Sequence, residues 1–261
     1  MNHRIVSRLA AIGLVAAAAI AVDSASASAA AIVVHPGGSI QAAIDAAHPG
    51  DTITVLPGTY HEAVCLTTDG IRLHGDGAII MPPAQAPQTP CSLDPGGQTI
   101  GIAIIGALDP DTGEVTDPVS DVTVSGFRVE GFDSFGIGML GGENVNIIGN
   151  TAVDNEEYGI ARFQSIGGSL KANRATGSEE AGLYLGDSPN AHASIVANTS
   201  WDNGLFGIFV RDSGHGVVVG NDSHGNCVGI MVVATQPDIP VENWIVKGNR
   251  VHDNPRSCPW W

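Results

Sequence analysis

Asp187 and Asp212 each stand before a serine, in Asp187-Ser188-Pro189 and Asp212-Ser213-Gly214, and each closes a short stretch of alternating apolar residues. If the two stretches are equivalent strands of neighbouring repeats, the carboxylates lie side by side. Arg211 then sits next to them, His215 falls on the following turn, and Tyr184 stacks on Phe209 in the outward row. Two carboxylates at that spacing can divide into an acid and a base, or share a metal. Aromatic faces beside them suit sugar rings. The catalytic candidates are therefore Asp187, Asp212, Arg211 and His215, and the substrate-binding candidates are Tyr184 and Phe209. The plainer alternative is turn chemistry, which Asp-Ser-Pro and Asp-Ser-Gly also satisfy.

Three other groups carry chemistry-bearing side chains. Glu156-Glu157 would stack on Glu179-Glu180, and four carboxylates so close repel one another unless they fan into solvent or hold a cation. Calcium, which takes oxygen ligands, is the metal they would hold. Trp201, His224 and His252 form an outward strip flanked by Asp222 and Arg250, with too few ligands for a strong transition-metal site. The loop Asp109 to Asp117 lacks the later ligands of a calcium loop and reads as a solvated hairpin. Arg162 falls in a row that is otherwise apolar, so it is expected either to be displaced outward or to reach a buried acid.

These placements depend on a repeat. From Asp121 to Asn254 the chain repeats every 22 to 28 residues, with Phe127, Asn150, Asn173, Asn198, Asn221 and Asn249 in one row. Gly136, Gly159, Gly182, Gly207 and Gly229 form a second row. After each row glycine, Ile137, Ile160, Leu183, Ile208 or Ile230 is followed two places on by Met139, Arg162, Leu185, Val210 or Val232. That is the period of a strand, not of a helix. A period of this size marks a solenoid, and three short strands per repeat make it a parallel β-helix. Asparagines repeated once per coil can hydrogen-bond to one another along the stack. The asparagine row is read as structural.

The ends of the chain bound its setting. Residues 1–29 have the form of a bacterial-type signal peptide: Arg4 and Arg8, an apolar run from Leu9 to Val22, and the small residues Ala27-Ser28-Ala29. Residues 30–261 are then one domain, with an N-terminal cap over 32–62, irregular early coils over 63–120, regular coils over 121–254 and a short end over 255–261. The expected location is secreted and extracellular, with no membrane span in the mature chain. Four cysteines in an oxidising compartment imply two disulfides. The coil register favours Cys227 with Cys258, leaving Cys65 with Cys91. The formal charge of −16 argues against nucleic acid as a partner and requires a cation for any polyanionic glycan. At the other end, Trp260 and Trp261 cover the last coil, or the molecule self-associates there, or the sequence is shortened.

Ser39 is a candidate N-cap for a short helix with Ile40, Ala43, Ile44 and Ala47 on one face, which would close the solenoid's first coil. The run SIQAAIDAAHPGDTITVLPGTYHE, followed by glycine- and asparagine-marked coils, resembles the opening of right-handed parallel β-helix proteins of the pectin lyase-like superfamily. The repeats are similar to the carbohydrate-binding and sugar hydrolase type. The resemblance implies an all-β, right-handed parallel β-helix with a short N-terminal capping helix, and a polysaccharide partner. Of the polygalacturonase-like signatures only Gly214-His215-Gly216 is present, while Asn198-Thr199 is followed by Ser200 and no Asp-Asp or Arg-x-Lys occurs. The resemblance therefore points to a uronate polymer lyase or C5-epimerase before a glycoside hydrolase, with Arg211 as base or stabiliser. A non-catalytic extracellular scaffold is the alternative.

Overall fold

The computed structural model describes residues 28–92, 98–237, 239 and 241–258. Most of the expected signal peptide and the terminal Trp260-Trp261 lie outside the described residues. The described chain is a parallel β-helix whose coils contribute to three long sheets of nine, eight and seven strands. Ala193–Val196, Thr199–Trp201 and Phe206–Ser213, for example, are the three strands of one coil. Each pairs in parallel with its equivalents in the coils before and after. The stretch 63–120 supplies strands to the same sheets, interrupted by the loop after Met81 and by an antiparallel hairpin of Ala107–Leu108 with Val115–Asp117. Asp109 closes that hairpin by accepting from the backbone N–H of Asp111 and Thr112. It is the solvated hairpin read from the sequence.

Alternation decides what the lumen holds. One inward row runs Leu73, Val124, Ile147, Leu170, Ile195 and Val218, all fully or almost fully buried. The same row ends in Val246 at 49% exposure, because no further described coil covers it. At the other end the helix Ile40–Ala46 closes the first coil with Ile40 and Ile44. Its Ser39 cap accepts from the N–H of Ala42. Glu62 adds a second cap, accepting from the N–H of Ile40 and Gln41 and from the Ser39 hydroxyl. The carboxylate sits where the helix has unpaired donors.

The corners are held by side-chain ladders along the axis. Asn150, Asn173 and Asn198 each donate their backbone N–H to the side-chain oxygen of the next rung, at 2.9 to 3.0 Å. Their amide nitrogens donate to the carbonyls of Val124, Ile147 and Leu170. A second ladder passes through Ser178, Asn203, Asn226 and Asn254. A third uses Ser165, Ser188 and Ser213, whose hydroxyls receive the N–H of Gly142, Ser165 and Ser188. The row glycines leave room for this: a Cβ on Gly207 would stand 1.9 Å from the Ser223 hydroxyl and 2.7 Å from the Asn226 amide. Both disulfides form as expected, Cys65 with Cys91 and Cys227 with Cys258, at Cα separations of 5.6 and 5.4 Å.

The residue before each rung is left-handed. Glycine takes that place at Gly149, Gly220 and Gly248, but Ala172 and Ala197 adopt it at φ of 54° and 56°. A left-handed alanine costs roughly 1 to 2 kcal/mol, partly offset by the entropy it saves in the unfolded chain. Ala197→Gly is therefore expected to stabilise the protein by about 0.5 kcal/mol. A urea titration measures it, and a destabilised variant would mean that Ala197 gains more from packing than its backbone loses.

Candidate functional site

The strands Tyr158–Phe163, Ala181–Ser188 and Phe206–Ser213 lie side by side in the third sheet, and their register puts Tyr184 beside Phe209 and Gly186 beside Arg211. Gly141, Gln164, Asp187 and Asp212 follow at one stacked corner, all with positive φ. Asp tolerates this conformation better than most residues, so the two aspartates are corner formers whatever else they do. They do not share a site on equal terms. Arg211 reaches both carboxylates, 3.5 Å from Asp187 and 3.6 Å from Asp212.

Asp212 is fully buried and occupied. It accepts from the backbone N–H of Gln236, and from the N–H and hydroxyl of Thr235. Burial pushes its carboxyl up, but these bonds and Arg211 outweigh it and hold the group below its usual range. Asp212 thus pins the loop after Val233 and is not available as a catalytic acid. The Asp187 side chain is 29% exposed, but its Oδ1 is buried and has no hydrogen-bond partner among the described residues. Burial opposes the charge on Arg211, but Tyr184 and the nearby carboxylates raise its pKa above the ordinary arginine value. It stays a cation, which removes the role of base.

Tyr184 and Phe209 point outward as expected, yet neither is exposed to a ligand: Tyr184 is fully buried and Phe209 retains 6% exposure. Their neighbours in the stack explain this. Tyr184 has Ala161 beside it, leans over Gly186, and is enclosed by Tyr158, Phe163 and Phe209 at ring separations of 4.5 to 5.4 Å. Arg211 lies over its ring at 5.5 Å. The aromatic surface left half-exposed is Phe135 and Phe163. They line an apolar cavity of about 230 Å³ with Ile100, Ile105 and Leu140.

That cavity shares Gln164 with a groove of about 540 Å³ whose lining includes Glu114, Asp187, Asn190, Gln236 and Ile239. It shares Ile105 with another of about 490 Å³ reaching Asp69 and Leu108. The three concavities form one trough along the solenoid axis. Its walls at the Asp187 end are the hairpin bearing Glu114 and the loop that Asp212 pins. Gln164 and Gln236 were not singled out from the sequence, because only the spacing of coils and loops brings them to the groove.

His215 stands apart from this cluster. Its ring stacks on His192 at 4.9 Å, with Glu242 and Asn243 as polar neighbours. The strip on the second sheet forms as read: Trp201, His224 and His252 stack in order, and Asp222 reaches both His252 and Arg250. Glu156 with Glu157 stacks on Glu179 with Glu180 through backbone hydrogen bonds, beside Asp133 in an open groove. This quartet lies across the sheet from Asp187. Glu180 precedes the strand Ala181–Ser188 and Asp187 lies near its far end, about 23 Å away at the extended rise of about 3.3 Å per residue. Among the described residues no group of three or more His, Cys, Asp or Glu side chains is arranged to hold a metal.

The family model described as "Right handed beta helix region" matches residues 109–246, more than half of the chain. The chain belongs to the right-handed β-helix family. No curated protein matches the sequence of this β-helix. Among solved structures it is similar to the periplasmic alginate epimerase AlgG, at 13% identity and a TM-score of 0.50, over 84% of this chain and 55% of that one. It is also similar to the A-module of the mannuronan C-5 epimerase AlgE6 of Azotobacter vinelandii, at 21% identity and 0.46, covering 82% and 71%. Pectate lyase Pel9A stands at 16% and 0.46, covering 84% and 79%. At such identities the likeness is one of fold, and the β-helix spans about half the length of AlgG.

Proposed function

We propose that this β-helix is a secreted protein that binds a uronate polymer along the trough of the third sheet and acts on it as a lyase or C5-epimerase. The observation that carries the reading is the contact of the Arg211 cation with Asp187, a partly exposed side chain that lines one end of that trough. Arg211 suits the carboxylate of a uronate residue, whose neutralisation makes the proton at C5 easier to remove. Asp187 suits that proton. Its carboxylate becomes a carboxylic acid while the electron pair passes into the substrate carboxylate held by Arg211. Expelling the C4 oxygen, which leaves as a hydroxyl by taking a proton from water, then gives a C4–C5 double bond and a lyase product, whereas a proton delivered to C5 by water on the opposite face gives the epimer. Two disulfides agree with an oxidising, extracellular setting. The seven strands of the third sheet span roughly 29 Å at about 4.8 Å per step, room for several sugar rings. Phe135 and Phe163 offer the stacking faces.

Incubating the mature protein with a panel of uronate polymers tests the reading. New ultraviolet absorbance would report elimination, and a changed ratio of the two epimers by NMR would report inversion. Neither signal on any uronate polymer, together with no binding, would leave the scaffold alternative standing.

The glutamate quartet is remote from Asp187, and among the described residues it is not arranged as a metal ligand set. The quartet matters to stability. Burial and then Glu180 push the Glu157 carboxyl above its usual range, so the folded state binds more protons and loses stability as pH rises through that pKa. Glu157→Gln together with Glu180→Gln is expected to raise Tm at neutral pH in chelator. Millimolar calcium, acting as counter-ion, is expected to raise the Tm of the parent and not of the variant. A parent curve unmoved by calcium would make the quartet a solvated turn.

A further inference from the structure

Arg162 lies in the strand Tyr158–Phe163, paired with Met139 on one side and Leu185 on the other, in the inward row shared with Ile104 and Val210. It is neither displaced outward nor matched by an acid. The side chain is fully buried, and Nε and both Nη atoms have no hydrogen-bond acceptor among the described residues. A guanidinium carries five N–H donors. Burial brings its pKa down to about 10, so the group remains charged at neutral pH.

The buried carboxylates among the described residues are Asp51 and Asp212, and both are committed elsewhere. Asp51 accepts from the backbone of Ala30 and His48, and Asp212 from Thr235 and Gln236. An unpaired charge inside an apolar lumen is among the costliest features a fold can carry. Row neighbours of methionine, leucine and valine show that an apolar side chain fits the row, so the arginine is not required for packing. The compensating negative charge must then come from solution.

We propose that the lumen of the β-helix beside Arg162 binds one small monovalent inorganic anion of the halide type, enclosed as the coils close. Monovalency follows from the surroundings: one negative charge makes the pair with the guanidinium neutral, whereas a divalent oxyanion would leave a net charge among aliphatic side chains. A halide also accepts N–H donors from several directions without needing donors of its own to be matched.

The test refolds the parent and Arg162→Met from urea at one ionic strength, with chloride replaced stepwise by gluconate, a much larger organic anion. Parent Tm is expected to rise with each tenfold increase in chloride and to stay flat in gluconate, while Arg162→Met is flat in both. Equal parent melting in the two salts, or the same chloride response in the variant, overturns the proposal. Crystals of the parent refolded in bromide keep it falsifiable should the variant not fold. An anomalous peak within hydrogen-bond distance of the Arg162 guanidinium is expected, and a lumen without one overturns the proposal.

Discussion

Replacing Asn198 with alanine is expected to destabilise the protein by about 2 to 6 kcal/mol, at about 1 to 3 kcal/mol for each of two buried groups left unsatisfied. Asn198 stands mid-ladder. Its side-chain oxygen receives the backbone N–H of Asn173 at 2.9 Å and the Asn173 amide at 3.1 Å, and its own amide donates to Leu170 and Asn221. Alanine leaves at least the Asn173 N–H and the Leu170 carbonyl without partners, in a corner with no access to water. A whole domain is stable by only about 5 to 15 kcal/mol, so the variant approaches the edge of folding. Asn249→Ala, at a partly exposed rung, should cost less. Urea unfolding of both variants checks the order, and a loss below about 1 kcal/mol at Asn198 would mean that strand pairing alone holds the corner.

The ladder is legible in sequence because an asparagine recurs at the same corner in five successive coils, from Asn150 to Asn249. The serine ladder is not, although Ser165, Ser188 and Ser213 recur at 23 and 25 residues, because serine is common in any turn. Register is equally readable: both disulfides, the stacked glutamates and the Trp201-His224-His252 strip follow from it. Exposure is not. Alternation says that Tyr184 points away from the lumen, but its burial depends on Ala161 and Gly186 being small enough for the surrounding rings to close over it. The occupation of Asp212 depends on a loop that returns from a later coil. A charge in an apolar row, as at Arg162, announces itself in sequence, while the absence of an acid within reach is a property of three dimensions.

The candidate site makes a split prediction, because Asp187 and Asp212 occupy equivalent corners but have different surroundings. Asp187→Asn keeps the corner and removes the carboxylate charge, so stability should change little while turnover falls by about 100-fold or more, the range of a lost general base. Arg211→Ala removes the cation that touches Asp187, weakening polymer binding and turnover together. Asp212→Asn should instead lower Tm. Its carboxylate accepts three bonds from Thr235 and Gln236 and its pKa is depressed. That contribution is present above the unfolded pKa and is lost as pH falls through the folded one.

Binding of uronate oligomers to the parent, Asp187→Asn and Arg211→Ala, read by calorimetry beside the turnover of each, tests the central claim most directly. The parent is expected to bind and turn over at least one uronate polymer, Asp187→Asn to bind it with near-parental affinity without turning it over, and Arg211→Ala to do neither. Parental affinity and rate in both variants would contradict the claim and leave Asp187 as a corner residue only.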